Sequence, residues 1–245
     1  MVTRRSFLMI AGSLLLEQGI RPAPAQENPA IPPLVDQVPA MLDHILLGSS
    51  DLDRGIAFVE AHTGVRPAFG GVHPGRGTQN ALLSLGVQHY LEVIAPDPRQ
   101  HTDNALAAKL QSLAEPRLVG WAVHPRNITA LAGQLKRAGV VAEGPTEGSR
   151  KRPDGSVLHW QTLNLKDDSN GLLPFFIEWG ADSQHPSSDA PAGCQLIQFE
   201  LLTPDPASLA RLASQMSLEV AIAKSAVPQL HAVIEGPKIT LSITS

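Results

Sequence analysis

The strongest constraint on this chain lies in the run Leu42-Asp43-His44-Ile45-Leu46-Leu47-Gly48, which leads at once into Ser50-Asp51-Leu52-Asp53-Arg54-Gly55. An apolar strand with a histidine inside it opens directly onto a helix start. Ser50 or Asp51 caps that helix by accepting the free amide protons of its first turn. Leu52, Ile56 and Val59 fall on one helical face. Gly64 ends it, since the left-handed turn there is cheap only for glycine. Three strand-like runs follow, and the last, Tyr90-Leu91-Glu92-Val93-Ile94, carries Glu92. The order is β-α-β-β-β, with His44 near its start and Glu92 near its end. Each is an expensive residue for an apolar strand unless a partner satisfies it.

The same punctuation returns further on. Leu118–Val123 reads as a strand, Asn127 as a cap, and Ile128, Leu131 and Leu135 as an apolar stripe that ends at Gly139. Val157–Leu165, with His159 and Trp160, and Leu172–Trp179, with Glu178, read as later strands of this second copy. His101–Glu115 is a bridging helix stopped by Pro116. Glu147–Gly155, with Arg150, Lys151 and Arg152, reads as a solvated hairpin loop, and residues 181–193 as a Ser/Pro/Asp-rich linker. Residues 194–245 form a shorter third copy, with one strand, one helix and a hairpin around Gly236-Pro237.

The L-D-H opening, the loop Gly70-Gly71-Val72-His73-Pro74-Gly75-Arg76-Gly77-Thr78-Gln79-Asn80 and the Y-L-E strand resemble the glyoxalase-like branch of the vicinal-oxygen-chelate superfamily. The resemblance covers residues 41–180. It implies an α+β fold of paired βαβββ modules, 41–98 and 117–180, that curve into a half-open barrel, with residues 194–245 as a βαββ-like addition. It also implies a divalent metal (Mn, Fe, Ni or Zn) on His44, Glu92 and Glu178, with Glu92 or Glu178 as general base. Counting from the helix caps, the position matching His44 in the second module is Gly120. A two-histidine iron dioxygenase centre is therefore disfavoured, unless a shifted register brings in His124 or His159.

In the glycine-rich loop, His73, Arg76, Thr78 and Asn80 offer donors to an anion or a carbonyl. The plainer reading of that loop is a turn pinned by Thr78 and Asn80. Trp121 and Trp160 wall a pocket or fill the core. His62, His89, His101, His185 and His231 read as isolated. Three functions stand open. One is a metal-dependent lyase or isomerase that stabilises an enediolate or similar oxyanion. The others are a non-catalytic module that binds or sequesters a small molecule, and a partner-binding role for the third copy.

Residues 1–25 are set apart from the fold. Thr3-Arg4-Arg5-Ser6-Phe7-Leu8 matches a twin-arginine export signal, and Ala23-Pro24-Ala25 supplies a cleavage pattern. The apolar run between them makes only roughly 15 Å of helix, too short to span a bilayer. The expected destination is the periplasm or the exterior, with no stable membrane anchor after cleavage. Residues 26–40 read as a proline-rich lead-in. Only one cysteine, Cys194, is present, so no internal disulfide can staple the fold. With 43 % apolar and 17 % charged residues the chain has the means to bury a core. Its net charge of −4 and lack of a basic stripe speak against nucleic acid as a partner. The expected partner is a small molecule, and a homodimer is left open.

Overall fold

Strand β1 (Leu42–Gly48) is followed by helix α1 (Leu52–Thr63) and then by β2 (Ala68–His73), β3 (Thr78–Ser84) and β4 (Tyr90–Pro96), in a computed structural model that describes residues 38–100, 104–152 and 154–245. The twin-arginine segment and most of the lead-in lie outside the described residues. Helix α1 begins where the side-chain chemistry places it: Asp51 accepts from the Arg54 amide at 2.9 Å. It ends at Gly64, whose φ of 85° is the left-handed conformation. Residues 70–80, read from sequence as a glycine-rich loop, form a β-hairpin instead, with His73 paired to Thr78 across a short turn.

After α2 (Ala105–Gln111) come β5 (Arg117–Val123), α3 (Ile128–Arg137), β6 (Ala142–Lys151), β7 (Val157–Leu165) and β8 (Phe175–Trp179). This is the second βαβββ module. The two modules share one eight-stranded sheet in the order β2-β3-β4-β1-β5-β8-β7-β6. In each module the first strand runs parallel to the last, β1 with β4 and β5 with β8, while β1 and β5 join the modules antiparallel. The sheet curls until its edge strands meet: Arg150 of β6 donates to the Gly70 carbonyl of β2. Glu147–Gly155 is therefore not a solvated loop. Most of it belongs to β6 and its turn into β7, and Arg150 and Arg152 are buried.

The C-terminal segment holds one more strand than expected. It runs β9 (Gln195–Thr203), α4 (Pro206–Gln215), β10 (Ala221–Lys224), β11 (Gln229–Glu235) and β12 (Thr240–Thr244). The order β10-β9-β11-β12 differs from that of the other modules, because the first strand lies inside the sheet, parallel to β10 and antiparallel to β11. This second sheet packs against β5 and α1, where Phe199 meets Trp121 with ring centroids 4.9 Å apart. Trp121 belongs to the main core, and its Nε1 donates to the Leu172 carbonyl at 2.9 Å.

Strand β1 lies at the centre of the large sheet and is covered on both faces, which accounts for its uninterrupted burial. Ile45 and Leu47 point into the main core, while His44 and Leu46 line the concave side. Leu110 of α2 packs on Leu46 and Ile94, and Leu106 of the same helix lines the cavity on that concave side.

Candidate functional site

The concave side of the curled sheet holds a cavity of about 320 Å³, within the usual range for a small-molecule site. Strand alternation decides what reaches it. From β4 it takes Tyr90, Glu92 and Ile94, and from β8 Phe175, Ile177 and Trp179. Apolar and aromatic side chains form most of the wall, and the polar groups converge around His44 and Glu92.

His44 is buried and stacks on Tyr90, with ring centroids 4.5 Å apart. Its Nδ1–H donates to Asp43 Oδ1 at 2.7 Å. Its Nε2 lies 3.4 Å from Glu92 Oε2. The other Glu92 oxygen accepts from Asn80 Nδ2 at 2.6 Å and sits 3.6 Å from His73 Nε2. His73 in turn is held through Nδ1 by the Thr78 hydroxyl at 2.9 Å. The hairpin thus delivers His73, Thr78 and Asn80 to the site, while Arg76 stands exposed at its rim.

Asp43 has no solvent exposure. A register shift of β1 against β5 lies between Leu42 and His44, next to it. Besides His44, Asp43 accepts from Trp179 Nε1 at 2.9 Å and from His185 Nε2 at 3.2 Å. His124 Nδ1 is 3.8 Å away. Burial disfavours the Asp43 charge, but the hydrogen bonds from His185 and His44 outweigh it and hold the carboxyl well below the usual range. An ionised Asp43 can only accept, so the His44 proton sits on Nδ1 and Nε2 is the atom turned toward Glu92.

The same contest plays out at Glu92. Burial pushes its carboxyl up, and the His73 and His44 imidazoles with the Asn80 hydrogen bond bring it below its ordinary value. Burial lowers His73, only partly offset by Glu92, which favours the neutral ring. Burial also raises the Tyr90 phenol well above its normal value, so it stays protonated.

The ligand set expected from the family resemblance does not converge. His44 and Glu92 meet in the cavity, but Glu178 is one residue out of phase with Ile177 and Trp179, on the opposite face of β8. There its Oε2 accepts from the Ile128 amide at 2.5 Å and serves as an extra cap on α3. Gly120 does line the cavity, as expected for the counterpart of His44, and a Cβ there would meet open space. Among the described residues no three His, Cys, Asp or Glu side chains are placed to share an ion. His44 and His73 approach different oxygens of Glu92, so the carboxylate stands between them. This donor set does not fit the three-ligand metal centre.

Several groups at the site were not singled out from sequence. His185, read as isolated, anchors the 181–193 linker to Asp43, and Trp179 donates to the same carboxylate. Arg150 lines the cavity. Asp43 left a signal, as an acidic residue inside an otherwise apolar strand. Arg150 left none, since its neighbours are glycine, serine and charged residues. His231, also read as isolated, pairs with Glu200 at 2.7 Å in the second sheet, away from the cavity.

The sequence model of a family described as "Glyoxalase-like domain" matches residues 42–216. Among solved structures, a hypothetical protein from Staphylococcus aureus is 16 % identical and superposes with a TM-score of 0.58 over 83 % of this chain and 87 % of that one. Methylmalonyl-CoA epimerase from Mycobacterium tuberculosis is 22 % identical, with a TM-score of 0.44 over 59 % of this chain and 91 % of that chain. A Streptomyces coelicolor methylmalonyl-CoA epimerase variant gives the same identity and TM-score over 60 % of this chain and 99 % of that one. These likenesses concern the fold. No curated protein sequence matches the chain.

Proposed function

This chain belongs to the glyoxalase-like domain family, and on that premise we propose that it binds a small oxygenated organic molecule in the cavity and moves a proton on it. The reaction class is an isomerase- or lyase-type step in which an enediolate or similar oxyanion develops. The observation that carries this reading is the contact of His44 Nε2 with Glu92 Oε2 at 3.4 Å on the cavity wall, with Asp43 holding the proton on Nδ1. With the Nδ1 proton held by Asp43, the ring presents Nε2 to the cavity beside Glu92, and this pair is where a substrate proton would be taken up and returned, as general acid–base catalysis requires. Tyr90 and Asn80 line the cavity with this pair, and their neutral hydroxyl and amide are donors that an oxyanion could meet there. Apolar walls exclude water and strengthen such contacts. The metal implied by the family resemblance is not carried into this reading, because Glu178 faces away and no third ligand replaces it among the described residues.

The test is exchange of carbon-bound protons with deuterated solvent, followed by NMR on hydroxyacetone and dihydroxyacetone with excess chelator present. Wild type should exchange the protons next to the carbonyl well above the buffer rate. His44→Gln and Glu92→Gln should lose most of that excess. If all three match buffer while a probe still shifts cavity resonances, the chain is a binding or sequestration module. One feature favours that second reading: Glu92 Oε1 already accepts from Asn80 at 2.6 Å, which weakens the carboxylate as a base.

We further propose that residues 1–25 export the folded chain to the periplasm by the twin-arginine route. The support is the Arg4-Arg5 pair with its short apolar run and the Ala23-Pro24-Ala25 site. Among the described residues no helix is long and apolar enough to cross a membrane.

A further inference from the structure

Two arginines lie on and just beyond the edge strand β6, and both are buried. Arg152 has its counter-ion, Asp189 of the linker. Arg150 is only 4 % exposed, yet it has no such partner among the described residues. The arginines that make ion pairs within 4.0 Å among the described residues are Arg54, Arg66, Arg99 and Arg152. Arg150 Nη1 donates to the Gly70 carbonyl and lies 3.5 Å from Asn80 Oδ1. Those contacts use one corner of a five-donor fork. Among the described residues neither Nε nor Nη2 bonds to an acceptor of the protein. No fully buried side-chain nitrogen among the described residues lacks a partner, so these free donors keep access to the cavities that Arg150 lines. A guanidinium so nearly buried without a carboxylate in contact is costly, and it persists where something else compensates it.

The surroundings are built to admit it. A Cβ on Gly70 would sit 2.5 Å from Asn80 Oδ1 and 2.7 Å from Arg150 Nη1, so only glycine leaves the passage by which this side chain crosses the sheet seam. Arg150 then lines the cavity together with His44, Asn80 and Glu92. Burial lowers its basicity and Glu92 restores part of it, and the group remains a cation.

We infer that Arg150 is the anion receptor of this cavity and that the ligand class is a small organic monocarboxylate with an apolar, ring-sized body. The inference rests on the reading that the cavity is the ligand site, and it goes further by naming the charge and its partner. A carboxylate matches the planar fork of Arg150, the buried arginine that lines the cavity. A phosphate is disfavoured, because its second charge would face ionised Glu92 across Asn80. Arg76, which the sequence marks as the anion contact, is solvated at the rim, where a pair with a ligand contributes little. The apolar body rests against Phe175, Ile177 and Trp179, and the volume of about 320 Å³ holds one ring with a short arm.

Titration calorimetry tests this with benzoate and phenylacetate against their neutral counterparts benzamide and phenylacetamide. The proteins are wild type, Arg150→Lys, Arg150→Met and Arg76→Ala, each first checked for a cooperative melt. Wild type should prefer each acid over its amide by at least about tenfold, the scale of one charge-assisted contact. Arg150→Met should erase that preference and leave amide binding within about threefold. Arg150→Lys, which keeps the charge without the fork, should fall between them. Arg76→Ala should keep the preference. If Arg150→Met fails to fold, the Arg150→Lys ratio decides, since a purely structural tie would leave the acid-to-amide ratio unchanged. Equal binding of acid and amide to wild type, or loss of preference in Arg76→Ala alone, overturns the role of Arg150 while the cavity remains a ligand site. No binding of any of the four compounds at millimolar concentration overturns the monocarboxylate class, and the exchange assay on hydroxyacetone then decides the cavity reading by itself.

Discussion

Asp43→Asn removes one charge at the centre of the site and changes almost no volume. The native carboxylate accepts from His44 Nδ1 at 2.7 Å, Trp179 Nε1 at 2.9 Å and His185 Nε2 at 3.2 Å, two of these at Oδ2. The amide has one oxygen. Its better orientation keeps that oxygen toward Trp179 and His185 and turns its NH₂ toward His44. His44 must then give up the Nδ1 proton and carry it on Nε2, facing Glu92. One charge-assisted bond is inverted and two are weakened, each native bond being worth about 1.5–3 kcal/mol. The expected loss is about 3 kcal/mol at pH 7, read by urea unfolding. Protonation linkage gives a second signature. The folded carboxyl lies below its unfolded value of about 3.9, so its contribution is complete above that pH and disappears as pH falls through the folded value. Wild type should therefore lose stability below about pH 4 more steeply than the variant, by up to about 1.4 kcal/mol per pH unit. Nitrogen-15 shifts of His44 should report the tautomer exchange. A loss under about 1 kcal/mol, or parallel pH curves below pH 4, would refute the placement of the charge and of the His44 proton.

Glu178→Gln should weaken the cap on α3 by about 0.5–2 kcal/mol in the same unfolding assay and leave benzoate affinity unchanged, because the side chain is on the outer face. Gly120→Ala should stay within about 0.5 kcal/mol of wild type, since its Cβ meets open space, whereas Gly70→Ala should lose about 1–3 kcal/mol by crowding buried Asn80 and Arg150. Replacing Arg4 and Arg5 by lysine should leave precursor in the cytoplasm on fractionation; unchanged mature protein in the periplasm would end the export proposal.

Much of the fold and part of the site were legible without coordinates, wherever the information is local. Asp51 and Gly64 bracket α1 because capping and left-handed turns depend on single residue types. The two βαβββ units follow from the repeated order of apolar stripe, cap and glycine. His44 and Glu92 share a cavity because the first and last strands of a module pair side by side, which brings Glu92 opposite Leu46 in the ladder. His44, a polar residue inside an apolar strand, already implied that something satisfies it, whereas the same signal at Asp43 beside it went unread.

Only the tertiary structure decided the rest. Whether Glu178 faces the cavity depends on the phase of β8, and with a period of two a shift of one residue sends the whole strand to the other face. Matching Glu92 to Glu178 as last-strand carboxylates does not set that phase. Pairing with β5 does, with Ala122 opposite Phe175 and Val123 opposite Phe176. Arg150 is the clearer case. Its window reads as solvated because every local cue is polar, yet it is buried by a carbonyl 80 residues away when the sheet curls and its edges meet. Composition and periodicity report what a residue prefers next to its chain neighbours. Burial of a cation at a closing seam is set by strands that are distant in sequence, and no local pattern carries it.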